Sequence, residues 1–289
     1  MSLTRKKTKV PKVLPAPSKG KEDRHFVTAL ARGLEVLGCF RSGDRLLGNI
    51  EIARRCDLPK STVSRLTYTL TRIGYLHYDE DSGKYRLGTA TLALGSKMLA
   101  RLDVRQLARP LMQDLADFTG AAVSLGTRDR LSMIYVEHCR SQSAITISLD
   151  VGSRIPLAST AMGRAYLAAT SDGERHELMD RIRELDEFAW PKVREGIEMG
   201  LKEYAELGCC CSFGDWQKDV NAIAIAFRPG RGMPPVSVNC GGPAFPLWRA
   251  RLREEARPRL GEWHRLFEHL VRAEHLTIES SVEEMLNAP

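Results

Sequence analysis

The stretch that most constrains the fold runs from Leu46 to Leu76 and reads LLGNIEIARRCDLPKSTVSRLTYTLTRIGYL. Ile50 and Ala53 are predicted to share one face of a short helix, and Asp57 tolerates the left-handed backbone that a tight turn requires. Pro59 suits the first turn of a second helix, because an N–H group there has no partner inside the helix. Two short helices joined by a tight turn are typical of a helix-turn-helix.

The second helix is predicted to have one buried and one polar face. An apolar stripe, closed by Gly74 as a C-terminal cap, predicts the buried face. The other face offers short hydroxyls and cations near the helix N-terminus, which suit phosphates and base edges in a DNA major groove. A solvated face whose Ser and Thr serve only as caps is the alternative. The predicted buried residues are Val63, Leu66, Leu70 and Ile73, and the predicted DNA contacts are Lys60, Ser61, Thr62, Ser64 and Arg65.

A β-hairpin is predicted directly after this helix, in the segment YLHYDEDSGKYRLG. Apolar residues stand on either side of Asp79–Gly83, and Gly83 suits a turn position with positive φ. A hairpin in this place acts as a wing that lies along the DNA backbone and offers Lys84 or Arg86 to phosphates.

An amphipathic helix is predicted before the helix-turn-helix, in FVTALARGLEVLGCF. Its apolar residues recur at spacings of three and four, which predicts one buried stripe. The helix, the helix-turn-helix and the wing together predict a DNA-binding domain over residues 26–88. The stripe consists of Val27, Leu30, Leu34, Leu37 and Phe40.

Positive charge is concentrated in the first third of the chain. Residues 1–25 carry a net charge of +6, residues 26–88 carry +3 and residues 89–289 carry −2, within a total of +7. This distribution predicts a polyanion-binding part joined to a different kind of domain. Prolines and few large apolar residues predict a disordered basic tail over 1–25, which by itself is also typical of a solubilising extension.

These segments resemble the winged helix-turn-helix of the IclR-type (isocitrate lyase regulator family) transcription factors. The segments RGLEVL, LPKSTVSRLTYTLTRIGYL and YRLG carry the resemblance, and Pro59–Leu66 matches the recognition helix of the family without a gap. Asp57 departs from the pattern, since many members have Gly there. The resemblance implies that Arg32 approaches DNA, and that a dimer or tetramer reads a palindromic operator in double-stranded DNA.

The remainder of the chain predicts an α+β domain. Thr89–Leu99 reads as a small-residue-rich linker or dimerisation helix within residues 89–103. The effector-binding domain is predicted over 104–275, with a C-terminal tail over 276–289. Strands are predicted at 121–127, 131–139, 144–150, from Gly208, at 222–228 and at 236–239, and helices at 103–120, from Ser159 or Thr160, at 174–183, 190–207 and 247–271.

The second part also resembles the family, through VGSRIPLASTAMGRAYLA, with Arg164 where Lys is usual, and through VNCGGP. The match runs from about residue 26 to 272 and implies a GAF-like fold that binds a small organic acid. Backbone N–H groups at a helix N-terminus favour a carboxylate. Departures from the family pattern predict a roomier and more apolar ligand, such as an aromatic or longer acid. The implied effector contacts, each with ordinary sheet packing as its alternative, are Ala161, Met162, Ser212, Asp215, Ala222, Asn239 and Gly241.

Catalytic and metal-binding motifs are missing from the sequence. It has no Gly-x-Ser-x-Gly, His-Glu-x-x-His or phosphate loop, and no His stands at metal-ligand spacing to a Cys or carboxylate. We therefore expect that the protein is not an enzyme and that it has no cofactor and no metal site. No apolar run approaches the ~20 residues that cross a bilayer, so we expect no membrane partner. Seven cysteines without a C-x-x-C pair predict a cytoplasmic protein.

Three adjacent cysteines, Cys209–Cys211, invite a chemical interpretation. In a strand, Cys209 and Cys211 would point one way and Cys210 the other, so the three thiols cannot bind one tetrahedral metal. We expect free, buried thiols on a strand at the floor of the effector pocket. The alternative function is a thiol- or metal-based sensor that uses these cysteines in place of an organic effector.

Overall fold

The computed structural model describes residues 25–41, 43–99, 103–141, 149–230, 233–245 and 249–265. Contacts divide the chain into two compact units, with the division between residues 100 and 101. The first unit is mainly helical with a small hairpin, and the second is an α+β unit, so the expected fold class is confirmed. The predicted tails over 1–25 and 276–289 lie almost wholly outside the described residues.

Within its described residues, the first unit has four helices and a two-stranded hairpin. Its hydrophobic core lies between the first three helices and the first strand, and Val36, Ile52, Val63 and Leu76 are among its members. The elements are α1 (Thr28–Gly38), α2 (Asn49–Cys56), α3 (Lys60–Arg72), β1 (Leu76–Asp79), β2 (Lys84–Leu87) and α4 (Thr89–Leu99).

The turn chemistry of the helix-turn-helix is as predicted. Asp57 ends α2 with φ 55° and ψ 43°, in the left-handed region. Gly74 has φ 80°, and its N–H donates to the carbonyl of Thr71 at 3.1 Å, while the N–H of Tyr75 donates to the carbonyl of Leu70 at 2.9 Å. These two bonds form a Schellman cap that ends α3. Pro59 stands one residue before α3 rather than inside its first turn.

The predicted apolar stripes of α2 and α3 are confirmed in part. Ala53, Val63 and Leu70 are buried, and Leu66 packs against the core. Ile50 and Ile73 are exposed, while Ile52 in α2 and Thr67 in α3 are buried. Thr67 is accepted in the core because its hydroxyl bonds the carbonyl of Val63 at 2.9 Å. α2 and α3 pack on each other, and this packing decides which face of each helix is buried.

The stripe predicted on α1 is likewise mostly exposed in the single chain. Gly33 and Val36 are the buried residues of α1, and they lie between the predicted stripe positions. α1 therefore packs on α3 through a narrower face. Its broader apolar face, with Val27, Leu30 and Leu34, is exposed, and Leu30 is 62% exposed.

The wing is attached to the helices at both of its ends. Leu47, before α2, pairs with Tyr85 of β2 through two N–H to carbonyl bonds of 2.8 Å each. Gly88, after β2, donates to the carbonyl of Tyr75 at 2.8 Å. A Cβ at position 88 would lie 2.2 Å from the carbonyl oxygen of Gly74, so only glycine allows this approach. The hairpin is thereby joined to the C-terminal cap of α3.

The second unit is built on a six-stranded antiparallel sheet in the order β5-β4-β3-β8-β7-β6. The strands are β3 (Ala122–Asp129), β4 (Ser132–Arg140), β5 (Arg154–Pro156), β6 (Cys210–Phe213), β7 (Val220–Phe227) and β8 (Val236–Pro243). The helices are α5 (Asp103–Thr119), α6 (Ala161–Ala169), α7 (Asp172–Leu185), α8 (Trp190–Leu207) and a terminal helix that begins at Arg249–Arg251, passes through a π-helical turn at Leu252–Ala256 and continues over 257–265.

Helices cover both faces of this sheet. On one face, α6 packs on β7 and β8 and contacts α8, and Cys210 belongs to the core between them. On the other face, α5 packs on β3 and β4, and the π-helical turn packs on β7. Most predicted elements of this unit are present, with β8 longer than expected and β5 unpredicted. The strand predicted over 144–150 lies mostly outside the described residues.

Candidate functional site

The N-terminal end of α3 presents a polar and cationic surface. Lys60, Ser61 and Arg65 are exposed, and Thr62 is half-buried. Ser64 is exposed and accepts a hydrogen bond from the amide of Asn49 at 3.3 Å. The five predicted contact residues therefore lie together on the first two turns of α3, with Ser64 linked to α2.

The cations of this unit fall into two groups. Arg55 is largely buried and bonds Asp44 at 2.5 Å and Glu51 at 2.8 Å, so its charge is compensated inside the fold. By contrast, a second group is exposed and forms no ion pair within the part of the chain that the structure describes. It includes the predicted DNA contacts Arg32, Lys60, Arg65, Lys84 and Arg86, together with Arg41, Arg45, Arg72 and Lys97.

A cavity opens on the α6 face of the second unit. Counted out to its open mouth, it has a volume of about 510 Å³. Sheet, α6 and the 212–220 segment all contribute to it. Its lining residues are Ala122, Ser124, Tyr135, His138, Leu149, Ile155, Thr160, Ala161, Ser212, Trp216, Val220, Ala222, Asn239, Gly241 and Gly242.

Strand register divides the sheet wall of the cavity into two rows. The first, the small-residue row, crosses four neighbouring strands and consists of Ala122, Gly241, Ala222 and Ser212. The second, the polar row, is two residues further along the strands and consists of His138, Ser124 and Asn239. A flat, apolar floor thus lies beside a line of hydrogen-bonding groups.

The polar row contains one unsatisfied group. Asn239 is 8% exposed, and its Oδ1 has no hydrogen-bond partner among the described residues. The hydroxyl of Tyr135 hydrogen-bonds with the side chains of Ser124 and Asn239, and burial raises the pKa of the Tyr135 phenol. An unpaired buried amide oxygen is costly, so a ligand that donates a hydrogen bond to it would be stabilised.

The protonation state of His138 follows from its two neighbours. Arg140 donates from Nε to His138 Nε2 at 2.9 Å, so the imidazole proton is on Nδ1, which lies 2.8 Å from the hydroxyl oxygen of Ser124. Burial, followed by the nearby Arg140 charge, lowers the pKa of His138 below its ordinary value of 6.5. The imidazole is therefore neutral near pH 7.

The N-terminus of α6 lies at the cavity, where Thr160 and Ala161 are lining residues. Thr160 caps the helix: its hydroxyl accepts from the N–H of Gly163 at 3.1 Å and donates to the carbonyl of Pro156 at 2.7 Å. No acceptor among the described residues takes the N–H of Ala161 or Met162. Because helix N-termini carry a partial positive charge, this corner suits an anion.

The structure brings five of the seven predicted effector contacts to the cavity: Ala161, Ser212, Ala222, Asn239 and Gly241. Met162 is fully buried, and its sulfur lies against Gly126 behind the lining. Asp215 does not line the cavity either, since its carboxylate bonds the guanidinium of Arg164 at 2.6 Å.

Sequence reasoning missed three polar residues that line the cavity: Ser124, Tyr135 and His138. The alternation in β3 and β4 was visible, but which face of each strand meets the cavity depends on pairing with β8, which the sequence does not reveal. Thr160 could have been found as a helix cap, since Thr stands directly before the predicted helix.

The three adjacent cysteines do not line the cavity. Cys210 is buried, and its thiol donates to the carbonyl of Gly200 at 3.1 Å. Cys209 and Cys211 are buried as well, and Arg253 of the terminal helix lies near Cys211. Burial raises the pKa of Cys210. Across the described residues, no three His, Cys, Asp or Glu side chains are grouped so as to hold a metal ion.

Two family models match the chain. One, described as "IclR helix-turn-helix domain", covers residues 29–80. The other, described as "Bacterial transcriptional regulator IclR C-terminal", covers residues 96–265. The two matches fall on the two compact units, with α4 in part between them.

Individual proteins agree with these matches. The HTH-type transcriptional regulator TsaQ1/TsaQ2 of Comamonas testosteroni is 35% identical over 237 residues, which are 81% of this chain and 85% of that protein. A structure of an IclR family transcriptional regulator from Brucella abortus is 44% identical, covers 92% of this chain and 100% of its own, and has a TM-score of 0.76. An IclR homolog from Microbacterium hydrocarbonoxydans, complexed with 4-hydroxybenzoate, is 25% identical, covers 85% of this chain and 99% of its own, and has a TM-score of 0.66.

Among the described residues, no helix is both long and apolar enough to cross a bilayer.

The lowered pKa of His138 predicts a loss of stability in mild acid. As the pH falls through 6.5, His138 binds a proton in the unfolded chain but stays neutral in the folded protein. The free energy of unfolding therefore decreases. We expect His138→Gln, which has no titrating group, to lose less stability between pH 7.5 and 5.5 than the wild type does. Denaturant unfolding of both proteins across this range measures the difference, and parallel curves would contradict the assignment.

Proposed function

The chain belongs to the IclR family of bacterial transcriptional regulators, and on this premise we propose that a small organic acid in the cavity of the second unit modulates operator binding by the first, in the cytoplasm. The observation that carries the proposal is the cavity itself, in which the N-terminus of α6, with two N–H groups that have no acceptor among the described residues, lies beside an apolar floor and a buried polar row. Such a combination fits a ligand with one carboxylate and an apolar body.

Operator recognition is assigned to the N-terminal turns of α3 and to the wing. Support comes from the exposed cations Lys60, Arg65 and Lys84, which have no carboxylate partner among the described residues, and from the short hydroxyls of Ser61 and Thr62. Arg32 at α1 and Ser64 complete the proposed contact set. Cations without internal partners are available to phosphates and guanine edges.

The effector is proposed to be an aromatic monocarboxylate. Its carboxylate would accept from the N–H groups of Ala161 and Met162, and its ring would lie on the small-residue row beneath Trp216. Its far end would meet Asn239, whose Oδ1 accepts a hydrogen bond. The IclR homolog complexed with 4-hydroxybenzoate supports this class of ligand, because it resembles this chain along nearly its whole length.

Catalysis is not part of the proposed function. The hydroxyl of Ser124 is close to His138, which would be a nucleophile and base pair in a hydrolase. Arg140 donates to His138 Nε2, however, so Nδ1 carries the proton and cannot accept the proton of Ser124. The relatives from Comamonas testosteroni and Brucella abortus are transcriptional regulators as well.

Self-association is proposed through α1 and α4. The apolar face of α1 and most of α4 are exposed in the single chain, and no residue of α4 is buried. Exposed apolar surface of this kind is typical of a protein interface. A homodimer, or a tetramer formed from two dimers, would cover it and would present two copies of α3 to a palindromic operator.

Removing one exposed cation of α3 tests operator recognition. Arg65→Ala is expected to weaken specific operator binding by about 1–3 kcal/mol if Arg65 reads a base edge. Arg72→Ala, at the other end of the same helix, is the matched control and should change affinity little. Band-shift titrations at several salt concentrations measure both, and equal losses in the two variants would refute the assignment to the N-terminal turns.

A series of probe molecules tests the effector. 4-Hydroxybenzoate should bind and raise the melting temperature, while 4-hydroxybenzamide, which lacks the carboxylate charge, should bind about ten- to a hundredfold more weakly. Ala161→Pro removes one N–H at a helix position that tolerates proline, and Ala161→Val adds bulk but keeps the N–H. Calorimetry should show a larger loss in Ala161→Pro. Equal affinity for the acid and the amide would exclude the proposed carboxylate site.

Placing a charge on the exposed face of α1 tests self-association. Leu30→Glu is expected to lower the mass measured by sedimentation velocity, from tetramer to dimer or from dimer to monomer. The reason is that a buried unpaired carboxylate at an interface is costly. Leu185→Glu, at a residue of α7 with similar exposure, is the control and should sediment like the wild type. A monomeric wild type at micromolar concentration would be incompatible with this proposal.

A further inference from the structure

Arg164 is a buried cation in the first turns of α6. Its side chain is 7% exposed, and its guanidinium makes three hydrogen bonds, each to a different acceptor. Nε donates to the carbonyl of Ala158 at 3.3 Å, and Nη1 donates to the carbonyl of Cys211 at 3.2 Å and to Asp215 Oδ2 at 2.6 Å. Asp215 is 43% exposed, so the pair has one buried and one solvent-facing partner.

A notch in α8 holds the Arg164 side chain. Gly196 and Gly200 stand four residues apart on α8 and face the arginine. A Cβ at position 196 would lie 2.6 Å from Nη2, and one at position 200 would lie 2.9 Å from Cδ. Both distances are too short for real contacts, so the path of the arginine depends on these two glycines.

The three acceptors of Arg164 belong to two segments that both form the cavity. Ala158 lies just before Thr160 and Ala161, the residues at the α6 N-terminus. Cys211 and Asp215 are next to Ser212 and Trp216 in sequence, and these two line the cavity from the other side. A second link runs in the same direction, since the hydroxyl of Ser212 donates to the carbonyl of Ser159 at 3.0 Å.

We propose that Arg164 and Asp215 are a positioning pair that holds the 211–216 segment against the α6 N-terminus, and that Asp215 acts on the effector through Arg164 without touching it. This inference rests on the proposed effector site in the same cavity. It assigns to Asp215 a role different from the direct contact that family position implies. It also gives the three adjacent cysteines a structural part, because the carbonyl of Cys211 is one of the anchors.

The pair is suited to this role because Arg164, its buried member, has Asp215 as its charged partner, whereas Asp215 is 43% exposed and can be solvated without Arg164. In Asp215→Asn, Arg164 keeps the two carbonyl acceptors and can still meet the amide oxygen, but the charge attraction that draws residue 215 inward is lost. The expected result is a looser 211–216 segment around Trp216. The operator-binding residues are in the other unit and should be unaffected.

A double-mutant cycle with two readouts tests the pair. The variants are Asp215→Asn, Arg164→Met and the double variant. Hydrogen exchange of the 211–216 amides is measured in the free protein, and calorimetry measures 4-hydroxybenzoate binding. We expect faster exchange in all three variants. We also expect each single variant to bind the acid about tenfold more weakly, and the double variant to bind it no more weakly than Arg164→Met.

Further variants separate positioning from general damage. Arg164→Lys keeps the charge but not the fork of donors, and should restore part of the lost affinity. Gly200→Ala should reproduce the effect of Arg164→Met, because its Cβ would enter the notch, whereas Gly173→Ala, with open space around its Cβ, should not. Asp180→Asn, at an exposed position of α7, is the control for the loss of one carboxylate. Operator affinity without effector should be the same in all variants.

The outcomes distinguish this inference from the proposed effector. Unchanged exchange at 211–216 in both single variants would overturn the positioning pair. So would a tenfold loss from Asp215→Asn in the Arg164→Met background, because Asp215 would then contact the acid directly. If wild type fails to bind 4-hydroxybenzoate while exchange behaves as expected, the proposed effector class is wrong and the positioning pair stands.

Discussion

The antiparallel register of the sheet determines which side chains can meet in the cavity of the second unit. Asn239 pairs with Ser124 on one side, and Gly241 pairs with both Ala122 and Ala222. Because side chains alternate between faces, a slip of one residue in β8 would turn Cys240 toward the cavity and remove both Asn239 and Gly241 from it. The small-residue row and the polar row therefore both follow from one pairing pattern. The position of α6 above them depends on the same pattern.

Local signals made the helix-turn-helix predictable. The left-handed Asp57, the cap at Gly74 and the turn at Gly83 are decided by backbone chemistry within a few residues, and all three are found as expected. Burial was predicted less well, because it depends on partners. Ile50 and Ile73 are apolar but exposed. The local sequence pattern does not reveal how α2 and α3 pack on each other, and this packing decides which residues are buried.

The cavity was predictable only where a residue's place is decided by a helix terminus or by family position. Ala161 follows from the start of α6, and Ser212, Ala222, Asn239 and Gly241 were carried over from the resemblance. Asp215 shows why the remainder was not predictable. Its neighbour in space, Arg164, is fifty-one residues away in sequence, and an acidic residue beside a pocket looks the same in a sequence whether it meets a ligand or an arginine.

The double attachment of the wing has a mechanical consequence. With Leu47 bonded to Tyr85 and Gly88 bonded beside the cap of α3, the hairpin is held in a defined position relative to α3. In the proposed mode of operator binding, a reader held in this way would adapt little to grooves of different width, and the duplex would have to deform to fit it. Base steps that the protein never touches would then contribute to operator choice through their stiffness.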